Sequence, residues 1–138
     1  MLVFIGSFVV RITQGESAPA DQTPQAIAPV AARVQVLNGC GIPGAASRFS
    51  QFLKKTARPE FVVDVIDERN FDSFAQAKTL VIARKQQPSA EVNRFAAKLG
   101  LAADRVSFKQ LENDFYDLDY SIVVGTDFEA VMAGNKQP

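Results

Sequence analysis

Two stretches of the chain combine residue types and spacing that could support chemistry, and the first is a glycine-rich loop. Residues Gly39 to Gly44 (GCGIPG) have the Gly-x-Gly-x-x-Gly spacing of a dinucleotide-binding turn. The loop follows an alternating apolar segment and precedes an amphipathic one, so it connects a predicted strand to a predicted helix. Backbone N–H groups at the start of a helix attract anions. The loop is therefore either a phosphate-binding site or a tight turn that starts a helix.

The residues around the glycine loop bear on both interpretations. Asp64 lies twenty residues beyond Gly44, and Asp67 ends the second predicted strand, where a dinucleotide-binding domain carries the acid that binds the ribose. Pro43, however, lacks an N–H group that would face a phosphate. The third predicted strand also follows the second without a crossover helix, so a doubly wound sheet is not formed. We favour a structural turn, with anion binding as the alternative, and assign to it Asn38, Gly39, Gly41 and Gly44.

The second stretch is an acidic run that begins at Glu112 and ends at Asp119, with aromatic residues among the carboxylates. Paired carboxylates could catalyse glycoside hydrolysis, and they could also bind a metal ion through oxygen. A solvated acidic loop ahead of the last strand is the favoured interpretation. The interleaved aromatic side chains make this loop the candidate surface for a partner or a glycan. The candidate surface residues are Asp114, Phe115, Tyr116, Asp117 and Tyr120.

Composition excludes several classes of function. Lysine and arginine together number 15, as do aspartate and glutamate, so the formal net charge is zero, which argues against a general nucleic-acid binder. The chain has no histidine and one cysteine, which excludes histidine-based catalysis, most zinc sites and an internal disulfide. We therefore predict no catalytic residues, no metal site and no cofactor.

The N-terminal part of the chain differs from the rest. Residues 1–12 are almost entirely apolar and are about half as long as a membrane-spanning helix, which needs roughly 20 residues. We interpret them as the end of a membrane anchor, and an apolar tail or a buried first strand is the alternative. Residues 13–31 are rich in proline and polar residues, which predicts a flexible linker. A folded domain is predicted over residues 32–130, followed by a disordered tail over 131–138.

Hydrophobic periodicity predicts the elements of the folded domain. The predicted strands are 33–37, 61–66, 79–83, 105–108 and 120–124. Two amphipathic helices separate them, one starting after the glycine loop and one burying Val92, Phe95 and Leu99, and residues 69–78 could hold one helical turn. The order β-α-β-β-α-β-β predicts a single two-layer α/β domain, with a mixed sheet of four to five strands covered by two helices.

Three motifs of the folded domain resemble those of the LytR–CpsA–Psr C-terminal domain family, LytR_C. Residues 34–46 (VQVLNGCGIPGAA) are similar to the opening signature of that family. Residues 70–74 (NFDSF) with 78–82 (KTLVI) are similar to its middle segment, and residues 119–128 (DYSIVVGTDF) to its closing strand. The resemblance covers about 33–128. Cys40 departs from the commoner Thr, Asn or Ser at its position.

The resemblance implies a function in the cell envelope. In this family the domain usually follows a catalytic domain that attaches polymers to peptidoglycan, and no such catalytic domain lies within these 138 residues. We therefore expect a non-catalytic, membrane-anchored accessory module outside the cytoplasm, which binds cell-wall polymer or an envelope protein and no nucleic acid. The alternative is a small anion- or nucleotide-binding domain that uses the Gly39–Gly44 loop.

Overall fold

The computed structural model describes residues 28–85 and 90–134. The predicted anchor (1–12), most of the predicted linker (13–27) and the end of the predicted tail (135–138) lie outside these residues. Along the chain, the elements are β1 (Val30–Asn38), α1 (Ala45–Thr56), β2 (Phe61–Asn70), β3 (Leu80–Ala83), α2 (Ala90–Lys98), β4 (Val106–Phe108), β5 (Tyr120–Val124) and α3 (Phe128–Gly134). No helix within the described ranges is long and apolar enough to cross a membrane.

The five strands form one mixed sheet in the order β2-β1-β5-β3-β4. Strand β1 runs parallel to both β2 and β5, whereas β3 runs antiparallel to β5 and parallel to β4. The predicted α/β class and the mixed five-stranded sheet are therefore confirmed. The carboxyl ends of β1, β2 and β5 meet at one edge of the sheet, and the glycine loop begins there.

Both long helices cover the same face of the sheet. Alternation along β1 places Val34 and Val36 in the core with Phe49 of α1 and Phe95 of α2, and all four are fully buried. The ring of Phe95 also stacks on the ring of Tyr120 from β5, with centroids 4.6 Å apart. Because α1 and α2 share one core cluster with the sheet, the domain has two layers, and within the described residues the opposite face of the sheet carries no helix.

The folded region is longer at both ends than the sequence predicted. Strand β1 begins at Val30, inside the predicted linker, because the Val30 N–H donates to the Glu60 carbonyl oxygen at 2.9 Å. At the other end, α3 continues to Gly134 and replaces the first part of the predicted tail. This helix buries Phe128 completely and packs Val131 against the core. These side chains share one face at helical spacing, which was too short a pattern to detect in the sequence.

Strand β2 is also longer than predicted, and it ends at Asn70 instead of residue 66. The sheet has a bulge here: Val34 pairs with Val65, but the next residue, Gln35, pairs with Asp67. The extra residue interrupts the alternation of apolar side chains that defines a strand in the sequence. Residues 71–79 hold no helix, so the helical turn considered for 69–78 is wrong, and its first two residues belong to the strand.

Candidate functional site

Asn38, at the end of β1, organises the glycine loop. Its buried amide oxygen accepts hydrogen bonds from the N–H groups of Cys40 (3.1 Å) and Gly41 (3.0 Å). Its Nδ2 donates to the Ile42 carbonyl oxygen at 2.9 Å. Gly41 and Gly44 have φ angles of 77° and 80°, which side chains rarely allow. The loop is thus an asparagine-centred turn in which two N–H groups suited to an anion already have partners inside the protein.

The crevice beside this loop is filled by the chain itself. In doubly wound sheets a nucleotide binds at the carboxyl ends of the strands, where the strand order reverses, which corresponds here to β1 and β5. The Gln76 N–H donates to the Gly39 carbonyl oxygen at 2.9 Å, and the Thr126 N–H donates to the Gln76 carbonyl oxygen at 3.0 Å. A Cβ atom on Gly39 would lie 2.9 Å from the Cβ of Gln76. The segment that contains Gln76 therefore occupies the position where a nucleotide would bind.

The carboxylates of the acidic run mostly have structural partners. Both oxygens of Asp114 accept from the Leu118 N–H, at 2.9 and 3.0 Å. Lys85 Nζ lies 2.9 Å from Asp117 Oδ1 and 3.3 Å from Asp119 Oδ1. The ammonium of Lys85 lowers the pKa of Asp117, first through this hydrogen bond and then through its charge. Asp117 and Asp119 thus share the Lys85 ammonium and Asp114 binds a backbone N–H, so these carboxylates fix the loop.

Tyr120 does not belong to the loop surface, and its inclusion among the surface residues was wrong. Its side chain is 5% exposed and lies in the core, because alternation along β5 turns Tyr120, Ile122 and Val124 toward the helices. Burial is the main cause that raises the pKa of Tyr120. The nearby Glu91 carboxylate, which accepts a hydrogen bond from the Tyr120 hydroxyl, raises it further. Tyr116 and Tyr120 are close in the sequence, but Tyr116 lies in the loop and Tyr120 is the first residue of β5.

Phe115 and Tyr116 form the exposed tip of the acidic loop. Phe115 is 89% exposed and Tyr116 is 41% exposed. Arg33 of β1 holds this tip against the sheet: its Nη2 donates to the Tyr116 carbonyl oxygen at 2.8 Å, and its Nε donates to the Asp117 carbonyl oxygen at 3.2 Å. The backbone N–H of Arg33 also donates to the Asp119 carboxylate at 2.8 Å. The two aromatic side chains therefore stand on a loop that is fixed at its base.

A row of polar side chains crosses the helix-free face of the sheet beneath this loop. Arg84 Nε donates to Ser121 Oγ at 2.8 Å, and Ser121 Oγ donates to Gln35 Oε1 at 3.1 Å. Gln35 Nε2 donates to Asp67 Oδ2 at 3.1 Å, and the same oxygen accepts from Arg69 Nε at 2.6 Å. Hydrogen bonds thus connect these five residues from the end of β3, through β5 and β1, to β2.

The bulge in β2 is what brings Asp67 and Arg69 to this face. Before the bulge, residues of odd number in β2, such as Val65, face the helices together with Val34. The extra residue reverses the alternation, so Asp67 pairs with Gln35 and faces the opposite side. Without the bulge these charged side chains would point into the apolar core.

The acidic loop and two side chains of the polar row line an open cavity of about 360 Å³. Its floor contains Gln35 and Arg69 from the sheet, and its wall and rim come from the loop. Asp67 raises the pKa of Arg69, first through its hydrogen bond and then through its charge, and the Tyr116 hydroxyl acts in the same direction. The loop residues that line the cavity are Leu111, Asn113, Asp114, Phe115, Tyr116 and Leu118.

Comparison with known proteins places the domain in a family. A family model described as LytR cell envelope-related transcriptional attenuator, LytR_C, matches residues 31–128. The chain belongs to the LytR_C family. The resemblance found in the sequence is therefore confirmed, and LytR_C domains are parts of cell-envelope proteins. The solution structure of the C-terminal domain of RV0431 is 25% identical, covering 87% of this chain and 92% of that chain with a TM-score of 0.38. No curated protein matches the chain.

This LytR_C domain places one group of predicted site residues at the cavity and the other in a turn. The loop residues Phe115 and Tyr116 border the cavity, whereas Asn38 and Gly41 are hydrogen-bonded to each other within the turn. The sequence analysis missed Gln35 and the two charged residues of β2, because no local pattern shows which face they occupy after a bulge. Within residues 28–85 and 90–134, no group of three or more His, Cys, Asp or Glu side chains could hold a metal ion.

Proposed function

We propose that this LytR_C domain is a non-catalytic accessory module of the cell envelope that binds cell-wall polymer at the cavity beneath the acidic loop. One observation carries the proposal: a single cavity is lined by two exposed aromatic side chains, Phe115 and Tyr116, and by the planar polar side chains of Gln35 and Arg69. Ligand sites combine apolar and aromatic surface with a few placed polar groups, which fix the orientation of the ligand. A sugar ring presents apolar C–H faces and hydroxyl edges, and so matches such a lining.

The chemistry of the cavity supports binding more than catalysis. Asp114, the carboxylate in its wall, has both oxygens directed at the Leu118 N–H. Asp67, the carboxylate in the polar row, accepts hydrogen bonds from Gln35 and Arg69 through one oxygen. A glycoside hydrolase instead needs two carboxylates that flank the scissile bond. The side chains at this site can therefore orient a saccharide, and we assign none of them a step in bond cleavage.

Membrane anchorage through residues 1–12, with the domain outside the cytoplasm, completes the proposal. It is supported by the apolar composition of that segment and by the proline-rich residues that follow it. Fractionation of cells that produce the protein should find it in the membrane pellet, and added protease should degrade it in cells stripped of their wall. Recovery from the cytoplasmic fraction would contradict this part of the proposal.

Binding to purified peptidoglycan tests the site. The full chain should sediment with the polymer, and Phe115→Ala should weaken binding about ten-fold, the scale of losing one buried aromatic contact. Phe74→Ala is the matched control, because within the described residues Phe74 is the other strongly exposed phenylalanine, at 52%, and it lies against Gly41 in the turn. Equal loss in both variants, or no binding by the unaltered chain, would refute the proposed site. Binding of an envelope protein in place of polymer would identify the other class of partner.

A further inference from the structure

Arg69 presents a charged edge to the cavity, and this edge bears on which polymer the site selects. Its side chain is 55% exposed, and within the described residues its only ion pair joins Nε to Asp67 Oδ2. The two Nη atoms form a different edge of the planar guanidinium from the Nε atom that binds Asp67. An arginine fork of this kind binds carboxylate or phosphate oxygens with two parallel hydrogen bonds.

The guanidinium is held in place before any ligand arrives. Asp67 Oδ2 accepts from Arg69 Nε at 2.6 Å and from Gln35 Nε2 at 3.1 Å, and the Asp67 side chain is only 19% exposed. Gln35 is fixed in turn by the hydroxyl of Ser121 at 3.1 Å. A charged group that is already oriented loses less conformational freedom on binding, so more of its attraction for an anion appears as affinity.

Two other charged side chains lie near the cavity, and each has partners of its own. The Asp114 carboxylate lines the same cavity, and both of its oxygens accept from the Leu118 N–H. Arg84, at the far end of the polar row, is 8% exposed and bonds Ser121 and the Lys109 carbonyl oxygen, so it supports the row from within. Arg69 is therefore the cation of the cavity lining.

We propose that the cavity selects acidic saccharides, with a carboxylate or phosphate oxyanion of the polymer bound by the Nη atoms of Arg69 and the adjoining sugar against Phe115 and Tyr116. The inference rests on the proposed function, since it names the chemical class of polymer for the same site.

Titration of the full chain with soluble oligomers tests the selection. Three probes of similar length separate the chemistry: a neutral oligomer of N-acetylglucosamine, a uronic acid oligomer that carries carboxylates, and a sugar phosphate oligomer that carries phosphates. We expect the charged saccharide to bind about ten-fold more tightly than the neutral one at low salt, with the difference shrinking as salt screens the pair. Comparison of the uronate and phosphate probes then shows which oxyanion the site prefers.

Matched variants assign the selection to one residue. Arg69→Gln should weaken binding of the acidic probes more than binding of the neutral oligomer and so remove the preference, and Arg69→Lys, which keeps the charge but not the fork, should retain part of it. Arg48→Gln is the control, because the Arg48 side chain is 52% exposed and has one carboxylate partner, Glu129, at 3.3 Å. Circular dichroism confirms that each variant is folded.

Each outcome separates the inference from the proposed function. If acidic and neutral probes bind equally and Phe115→Ala weakens both, the polymer site stands and selection by charge is wrong. If Arg69→Gln keeps the acidic preference, or if Arg48→Gln removes it equally, Arg69 does not read the anion and the inference fails. If no saccharide binds the unaltered chain, both the inference and the proposed polymer site fail.

Discussion

Gly125 follows β5 at a point where the backbone of the preceding loop passes close by, and replacing it with alanine should destabilise the domain strongly. A Cβ atom at Gly125 would lie 2.5 Å from the carbonyl carbon of Lys78 and 2.8 Å from that of Ala77. Ordinary contacts of this kind begin at 3.4 Å, so the two segments would have to separate by 0.9 Å, the difference between 3.4 and 2.5 Å. Because both partners are backbone, no side chain can rotate away.

The hydrogen bonds at this contact set the size of the effect. Separation of the segments would stretch the bonds from the Gly125 N–H to Thr79 Oγ1 and from the Thr126 N–H to the Gln76 carbonyl oxygen, each 3.0 Å long. Overpacking a core costs about 1–3 kcal/mol, and each weakened hydrogen bond adds up to about 1 kcal/mol. We therefore expect Gly125→Ala to lower the free energy of unfolding by about 1–5 kcal/mol.

Other glycines of the same chain provide controls that separate space from backbone conformation. A Cβ at Gly44 meets nothing within 4 Å, but the φ angle is +80°, so Gly44→Ala should cost about 1–2 kcal/mol from backbone strain alone. Gly41→Ala combines a φ of +77° with a contact of 3.1 Å to the Phe74 ring, which can yield. At Gly134, the last residue of α3, a Cβ meets nothing within 4 Å in the described part of the chain, and alanine should be neutral or slightly stabilising.

Urea unfolding of the 138-residue chain, followed by circular dichroism, measures the series. The expected order of stability loss is Gly125→Ala largest, Gly41→Ala and Gly44→Ala intermediate, and Gly134→Ala smallest. A loss below about 0.5 kcal/mol for Gly125→Ala, the usual scale of a neutral surface substitution, would show that the loop yields freely at this contact. The loop would then not be a rigid segment that fills the crevice beside β5.

Three further predictions concern a carboxylate, a buried phenol and the turn. Asp127→Asn should lower the free energy of unfolding by about 2–3 kcal/mol because its carboxylate accepts three hydrogen bonds, whereas the exposed Asp72→Asn should change it little in the same urea titration. Because the pKa of Tyr120 is raised in the folded domain, the stabilisation from its neutral phenol is complete below its ordinary pKa of 10.0 and is lost as pH rises further. In a Tyr116→Phe chain, where Tyr120 is the remaining tyrosine, phenolate absorbance should therefore appear only together with unfolding. Asn38→Ala should cost about 2–3 kcal/mol by freeing buried loop groups, and NAD or inorganic phosphate should leave the Tm of the unaltered chain unchanged; a saturable rise would favour the anion-binding alternative.

The sequence by itself determined the family and the class of fold. Three features carried this information: the motif that ends β1 and opens the glycine loop, the apolar faces of α1 and α2, and the closing strand with Gly125. Each is a local pattern, because it depends on residues that lie close together in the chain. The turn around Asn38 was also assigned from these patterns, and the structure places its amide at the centre of the loop. Local spacing is sufficient wherever the energetic partners lie close together in the chain.

Only the tertiary structure decided what forms the candidate site. One extra residue in β2 turns Asp67 and Arg69 to the helix-free face, and this depends on the register with β1, which no alternation within β2 reveals. The difference between exposed Tyr116 and buried Tyr120 likewise follows from where β5 begins and which side it turns to the helices. Strand register is set by contacts between segments that are distant in the chain. The cavity, its cation and its aromatic rim therefore exist only once the sheet has assembled.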